Sequence, residues 1–289
     1  MRQASPRSLA GEESACVYAS DRQNEQGESW LLLYRGLEGD CLRVSGQVDF
    51  WLNGAAIGYT PWAGSAAVDI EGYLLGVVLA YWLELQGIPV VHASAALGPG
   101  GVVGFLSHSG HGKSGLAAAL MAGGGALLTD DLLPLEERAG RFWGRPGFPT
   151  MRMWPDEATF FLGGYEALPR VHPDLEKRRI RVGESGFGRF CAETQPLACL
   201  YVPQRRPPDD SDPTISIEPL SPVEAMIELV RHSFVARLAQ AVGLQPRRLD
   251  FFSRLVRTTP VRRLRYPSGF EHLPRVREAI LEDAARLQP

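Results

Sequence analysis

The segment that most restricts how this chain can fold is Ser107-His108-Ser109-Gly110-His111-Gly112-Lys113-Ser114. Residues 102 to 106 before it are apolar, and residues 113 to 121 after it are rich in Ala and Leu. The pattern predicts a strand, a tight loop and a helix. Gly110 and Gly112 let backbone N–H groups approach an anion without side-chain clashes, and the start of the helix adds a dipole favourable to negative charge. The spacing follows G-x-x-x-x-G-K-[ST] except at the first glycine, where Ser107 stands. In that pattern Lys113 reaches the β- and γ-phosphates and the Ser114 hydroxyl ligates Mg²⁺. The expected nucleotide-binding residues are therefore Ser109, Gly110, His111, Gly112, Lys113 and Ser114, with ATP or a related nucleotide and Mg²⁺ as cofactors.

Gly123-Gly124-Gly125 ends the helix, and Ala126-Leu127-Leu128-Thr129 reads as a buried strand. Asp130-Asp131 should emerge at the end of that strand, on the edge of a parallel sheet where the phosphate loop lies. One carboxylate can hold Mg²⁺ and the other can take a proton, which is what transfer to a hydroxyl requires. Upstream, residues 88 to 97 read as a strand carrying His92, closed by a hairpin-like turn at Gly98-Pro99-Gly100-Gly101. A His inside an apolar strand fits a satisfied core position as well as an active-site role.

Elsewhere the pattern is coarser. Residues 29 to 70 hold short apolar runs broken by Asn53-Gly54 and Gly64, expected as strands in a small β-rich lobe. Residues 72 to 86 read as a buried helix: their apolar run is about a dozen residues, whereas a spanning helix needs roughly 20. From 140 to 190 the abundance of Gly, Pro and Arg predicts long loops. Residues 197 to 202 restore a strand. In the helical last third, Ser221-Pro222-Val223-Glu224 has the form of a capping box. Val223, Met226, Ile227, Val230, Phe234 and Leu238 then recur at helical spacing as one core-facing stripe.

A net charge of −3 over 289 residues gives no basic stripe of the kind nucleic acid or a membrane surface selects. Cys16, Cys41, Cys191 and Cys199 form neither a disulfide framework nor zinc-finger spacing, which suits a reducing, cytoplasmic setting. The first twenty residues lack the apolar core of a secretory signal. His108 and His111 make a poor metal site without a third ligand. Trp154-Pro155-Asp156 with Cys199 and Arg205 imitates a tyrosine-phosphatase signature, but the intervening residues 200 to 204 are strand-like, lack glycine and include Pro203, which has no N–H to offer a phosphate.

Val91-His92-Ala93-Ser94, the loop 109 to 114 and Leu128-Thr129-Asp130-Asp131 together resemble the C-terminal catalytic domain of HPr kinase/phosphorylase. The resemblance implies an α/β fold: a P-loop core like that domain and PEP carboxykinase, a small β-rich N-terminal lobe over 1–70, and a kinase domain over 71–289 with a helical segment at 221–289. It implies Asp130 as the base toward a serine hydroxyl, Asp131 as the metal-side carboxylate, and His92 as a catalytic neighbour with Lys113. The family's second signature, a Glu-Val-Arg-Gly-type segment, is absent, so HPr is not the expected acceptor. The layout is more similar to the HPr-kinase-related proteins found with lasso-peptide biosynthesis genes, which phosphorylate a precursor peptide at a C-terminal serine. That likeness extends to residues 152–156, to Lys177-Arg178-Arg179 and to residues 231–234.

The Lys177, Arg178 and Arg179 triplet reads either as a clamp on phosphate or peptide carboxylate, carried on a flexible loop, or as a solvated basic loop. The partners expected are a nucleotide and a peptide or protein bearing a Ser hydroxyl, with no nucleic acid and no membrane; a homo-oligomer stays open. Three functions remain at this stage: a serine kinase on a peptide or protein; a small-molecule kinase or phosphoserine phosphorylase on the same scaffold; and a non-catalytic nucleotide sensor.

Overall fold

Short apolar runs separated by glycine turns build an antiparallel meander near the N-terminus, as the alternation predicts. The meander strands are β2 (Ala15–Ala19), β3 (Leu31–Gly36), β4 (Gly39–Val44), β5 (Val48–Leu52) and β6 (Ile57–Pro61), and β1 (Arg2–Gln3) pairs parallel with β6, in the order β1-β6-β5-β4-β3-β2. Leu33, Leu42, Val44, Val48 and Phe50 are fully buried. The apolar run that follows is helical but interrupted: α1 (Ala67–Tyr73) and α2 (Leu79–Leu85) flank a wide π-type turn at Leu74–Val78, where Gly76 leaves helical geometry (φ −108°, ψ −109°).

The structure, a computed structural model, describes residues 2–3, 15–108, 110–172, 175–210 and 212–287. It comprises two units, Met1–Gly87 with Val235–Pro246, and Ile88–Phe234 with Arg247–Pro289. The architecture is mixed α/β, β-rich at the start and helical toward the end. Among the described residues no helix is long and apolar enough to cross a membrane.

In the second unit, β7 (Val90–Gly98) and β8 (Gly101–Leu106) form the expected hairpin, closed by a Gly98–Gly101 pair. Gly110 to Gly112 then lead into α3 (Lys113–Ala122), which is buried from Lys113 to Met121. Its Ala- and Leu-rich composition suits a helix enclosed on every side. After it come β9 (Ala126–Thr129), β10 (Leu132–Arg138), β11 (Arg141–Gly144), β12 (Thr150–Met153), α4 (Pro155–Leu162), β13 (Arg170–His172), β14 (Leu175–Arg181), β15 (Arg189–Phe190), β16 (Gln195–Arg205), β17 (Ser216–Pro219) and α5 (Pro222–Arg231). α6 (Ala236–Ala241) lies in the first unit. α7 (Gln245–Thr258), β18 (Val261–Tyr266) and α8 (Leu273–Arg286) complete the chain.

Four expectations change. The sheet is mixed rather than parallel: β8 and β9 run the same way, but antiparallel β7 lies between them. The region from 140 to 190 is not loop-dominated, since β12, β14 and β13 form a three-stranded sheet beside α4. Its strands are short and rich in Arg, so propensity alone hides them. Lys177, Arg178 and Arg179 consequently sit inside β14 and not on a flexible loop. Finally, α5 buries Ala225 and Leu229, whereas Val223 and Ile227 are 70% and 49% exposed. The capping box is present, with Ser221 Oγ accepting from the Glu224 N–H at 3.3 Å, but the helix ends at Arg231, before Phe234 and Leu238 could extend the stripe.

Candidate active site

β7 has β8 on one edge and, on the other, β9 followed by β10. Thr129 pairs with Ala95 and Leu132 with His92, so β9 and β10 run as one strand along β7, interrupted at Asp130 and Asp131 opposite Ser94 and Ala93. At the interruption the Leu132 N–H reaches back to the Asp130 carbonyl at 3.0 Å, a three-residue turn centred on Asp131 at φ +68°. Asp tolerates this left-handed geometry better than most residues, yet it still strains the backbone by about 1–3 kcal/mol. The strain releases two adjacent carboxylates from the ladder. The strand therefore does not stop at the aspartates; it breaks there.

The carboxylates point to different partners. Asp130 Oδ1 accepts from Ser114 Oγ at 2.8 Å and from Ser94 Oγ, and its Oδ2 accepts from the Arg152 backbone N–H at 2.8 Å. Asp131 Oδ1 lies 2.7 Å from Lys113 Nζ and 3.4 Å from His92 Nε2, while Oδ2 lies 3.2 Å from Arg152 Nη1. Burial, reinforced by the charge of Asp131, raises the proton affinity of Asp130 above the ordinary carboxylate range. Burial alone would push Asp131 up too, but the His92 contact, Lys113 and Arg152 outweigh it and hold Asp131 well below that range.

Gly112, at φ +85°, caps α3 without a side-chain acceptor, so the first N–H groups of the helix face the loop. A Cβ at 112 would meet the Tyr266 hydroxyl at 2.9 Å, a second reason for glycine there. Gly110 is also left-handed, at φ +85°. Ser109 lies outside the described residues. His108 stacks obliquely on His232, with ring centroids 4.6 Å apart, and the His232 carbonyl accepts the His92 N–H at 2.7 Å. Burial, then the nearby His108 and His92, lowers His232 to about 4, leaving it neutral.

The structure thus brings together His92, Lys113, Ser114, Asp130 and Asp131. Ser94 and Arg152 join them. Ser94 was named only within the stretch Val91-His92-Ala93-Ser94 that carries the family resemblance, with no role of its own. Arg152, which touches both aspartates through backbone and side chain, carried no separate signal because its strand was not foreseen. Of the triplet, Arg178 faces away, its guanidinium 5.1 Å from the Tyr165 ring, and Lys177 lies over Trp154 at 5.4 Å. The phosphatase-like residues do not form a site: Trp154-Pro155-Asp156 starts α4, and burial of Cys199 within β16 pushes its thiol up to about 12.

The donors around Ser114 and Asp130 are hard oxygens, which suit Mg²⁺, an ion that takes few protein ligands and completes its shell with phosphate and water. Among the described residues there is no group of three or more His, Cys, Asp or Glu side chains arranged to hold a metal by themselves.

No family model matches the sequence. No curated protein matches it either. Among solved structures, the HPr(Ser) kinase/phosphatase from Coxiella burnetii aligns over 68% of this chain and 96% of its own, at 16% identity and a TM-score of 0.36. A likeness that distant assigns neither fold nor activity to this chain.

Proposed function

We propose that this chain is a nucleotide-dependent phosphotransferase that moves a phosphoryl group from ATP or a related nucleotide to a serine hydroxyl on a peptide or protein. The observation that carries the reading is the division of labour between adjacent aspartates: one is hydrogen-bonded to the loop hydroxyl, Ser114, and the other is paired with the loop cation, Lys113. A nucleotide sensor needs the loop but not a second carboxylate beside it. The finer reading, a C-terminal serine of a lasso precursor peptide, rests on the sequence resemblance. The proposed domains, 1–70 and 71–289, leave loop, aspartates and arginines on one side of the boundary.

In this reading the α3 N–H groups hold the phosphates and Lys113 exchanges Asp131 for the β- and γ-oxygens. Arg152 and His92 then keep Asp131 ionised. Asp130 has the raised proton affinity a base needs to accept the proton of the attacking hydroxyl. Bound Mg²⁺ would neutralise charge on the transferring group, with Ser114 and Asp131 as its proposed protein ligands. One observation favours the exchanged roles: Ser114 Oγ donates to Asp130, not Asp131. A P-loop hydroxyl and its neighbouring carboxylate normally share the metal.

Transfer of label from γ-labelled ATP to Ser-containing peptides tests the reading, and tight nucleotide binding with no labelled acceptor would sink it. Mg²⁺ titration of Asp130→Asn and Asp131→Asn separates the roles. The metal-side variant needs more Mg²⁺ for half-maximal rate; the base variant stays slow at saturating Mg²⁺.

A further inference from the structure

The β12-β14-β13 sheet has two unlike faces. Met151, Met153 and Ile180 turn inward to the core around α3, and Arg178 lies on that same face. Strand alternation sends Arg152 of β12, and Lys177, Arg179 and Arg181 of β14, to the other face. The register places Arg152 directly opposite Arg179, and Thr150 opposite Arg181. Like charges facing each other across strands are destabilising. On the inner side the sheet relieves its cations with an acid, since Glu176 lies 2.8 Å from Arg170 and 3.3 Å from Arg178. On the outer side, one end of the row enters the active site: the Arg152 guanidinium is the one that holds Asp131. Asp131 lies on Arg152, and Glu157 feels the charge of Lys177.

We propose that this outer face is the docking surface for an acidic peptide segment that flanks the acceptor hydroxyl, which makes the substrate an acidic peptide or protein. The inference rests on the phosphotransferase reading. Lys177, Arg179 and Arg181 alternate along one strand, so their Cα atoms are spaced about 6.6 Å apart, the same spacing as alternate residues of an extended peptide. Asp or Glu at alternate positions of a bound strand would meet them in turn, while Arg152 ties the row to the transfer site. Four cations on a chain of net charge −3 favour a short acidic segment over a long polyanion.

The test uses the full chain, ATP and three sets of serine peptides, in which the flanking positions carry Asp and Glu, Asn and Gln, or Lys. Binding is measured by fluorescence anisotropy without nucleotide, and transfer by label. The expected result is a KM about tenfold lower for acidic than for amide flanks, as several exposed ion pairs would give. The kcat should be little changed, and the advantage should vanish in high salt. Arg179→Gln with Arg181→Gln should erase it, with nucleotide affinity and circular dichroism preserved as evidence of folding; the single Arg181→Gln should halve it or more.

Equal KM for all flanks, insensitivity to both Arg variants, a gain that follows only a free α-carboxylate, or tighter binding of a single-stranded oligonucleotide would each overturn the proposal. Phosphorylation without flank preference removes the surface and leaves the kinase. Arg-dependent binding of acidic peptides with no transfer to any acceptor removes the kinase and leaves the surface.

Discussion

Each of the two units carries a pair of acids drawn out of bulk solvent, and the pairs are held in opposite ways. In the meander, Asp40 accepts from Tyr81 Oη at 2.6 Å and Arg35 Nε at 3.2 Å, and Asp49 is gripped by Arg43 through Nε at 2.7 Å and Nη2 at 2.8 Å. Each arginine stands directly opposite its acid on the neighbouring strand, and the backbone at the acids is unstrained. In the second unit Asp130 and Asp131 are adjacent in sequence, sit at a left-handed break, and draw partners from β7, α3 and β12. The first arrangement satisfies charges where they fall. The second gathers like charges and then needs distant cations and hydroxyls to make the gathering tolerable, a feature typical of functional sites.

That contrast breaks most sharply at Asp131. Asp131→Asn should lower phosphoryl transfer at limiting Mg²⁺ about a thousandfold, the equivalent of the several kcal/mol that metal-ion charge stabilisation supplies. Asp49→Asn should leave the rate alone. A label-transfer assay in which both variants match the parent would erase the distinction between the pairs.

A stability measurement approaches the same contrast from the other unit. Tyr81→Phe removes a buried donor to Asp40 and should cost about 1–2 kcal/mol in urea denaturation, with turnover unchanged. A loss of turnover with no loss of stability would reverse the roles assigned to the two units.

Ser94→Ala probes the support around Asp130. It removes one donor to a carboxylate already short of solvent, so transfer should fall about fivefold, the equivalent of one hydrogen bond of about 1 kcal/mol. The optimum should shift toward higher pH, because the proton is then held more tightly. A rate profile that keeps its position would place Ser94 outside the acid's environment.

The smallest effect concerns pH and stability. Asp130 has its proton affinity raised on folding, so its ionisation opposes the folded state once pH exceeds the unfolded carboxyl value of about 3.9. Asp131, depressed, stabilises above that value and loses the benefit as pH falls through its folded pKa. Asp130→Asn should therefore melt higher than the parent at pH 7, and the gap should close as pH falls toward 4. A constant gap across that window would show that Asp130 is not raised.

His92 and Asp130-Asp131 were legible because local residue type limits local conformation: an apolar strand, a glycine turn, a glycine loop and a helix leave little choice. Their convergence was not, because it depends on β7 lying between β8 and β9 and on the break at Asp131. Ser114 could be read as a metal ligand, but not as the donor to Asp130. Lys177, Arg178 and Arg179 were visible as charges, yet only the β12–β14 register shows that Arg178 turns inward while its neighbours turn out with Arg152.

The sequence by itself determined the strand, glycine loop and helix leading through Gly112 to Lys113, the meander and the capping box, each fixed by residues within one turn or hairpin of each other. Tertiary structure alone decided which acid meets Ser114 and which meets Lys113. It also brought Arg152 to both and put four cations on one face. Those contacts join residues from 16 to 39 positions apart along the chain, from Ser114 and Asp130 at the near end to His92 and Asp131 at the far end, and spacing cannot encode them until the strands have paired.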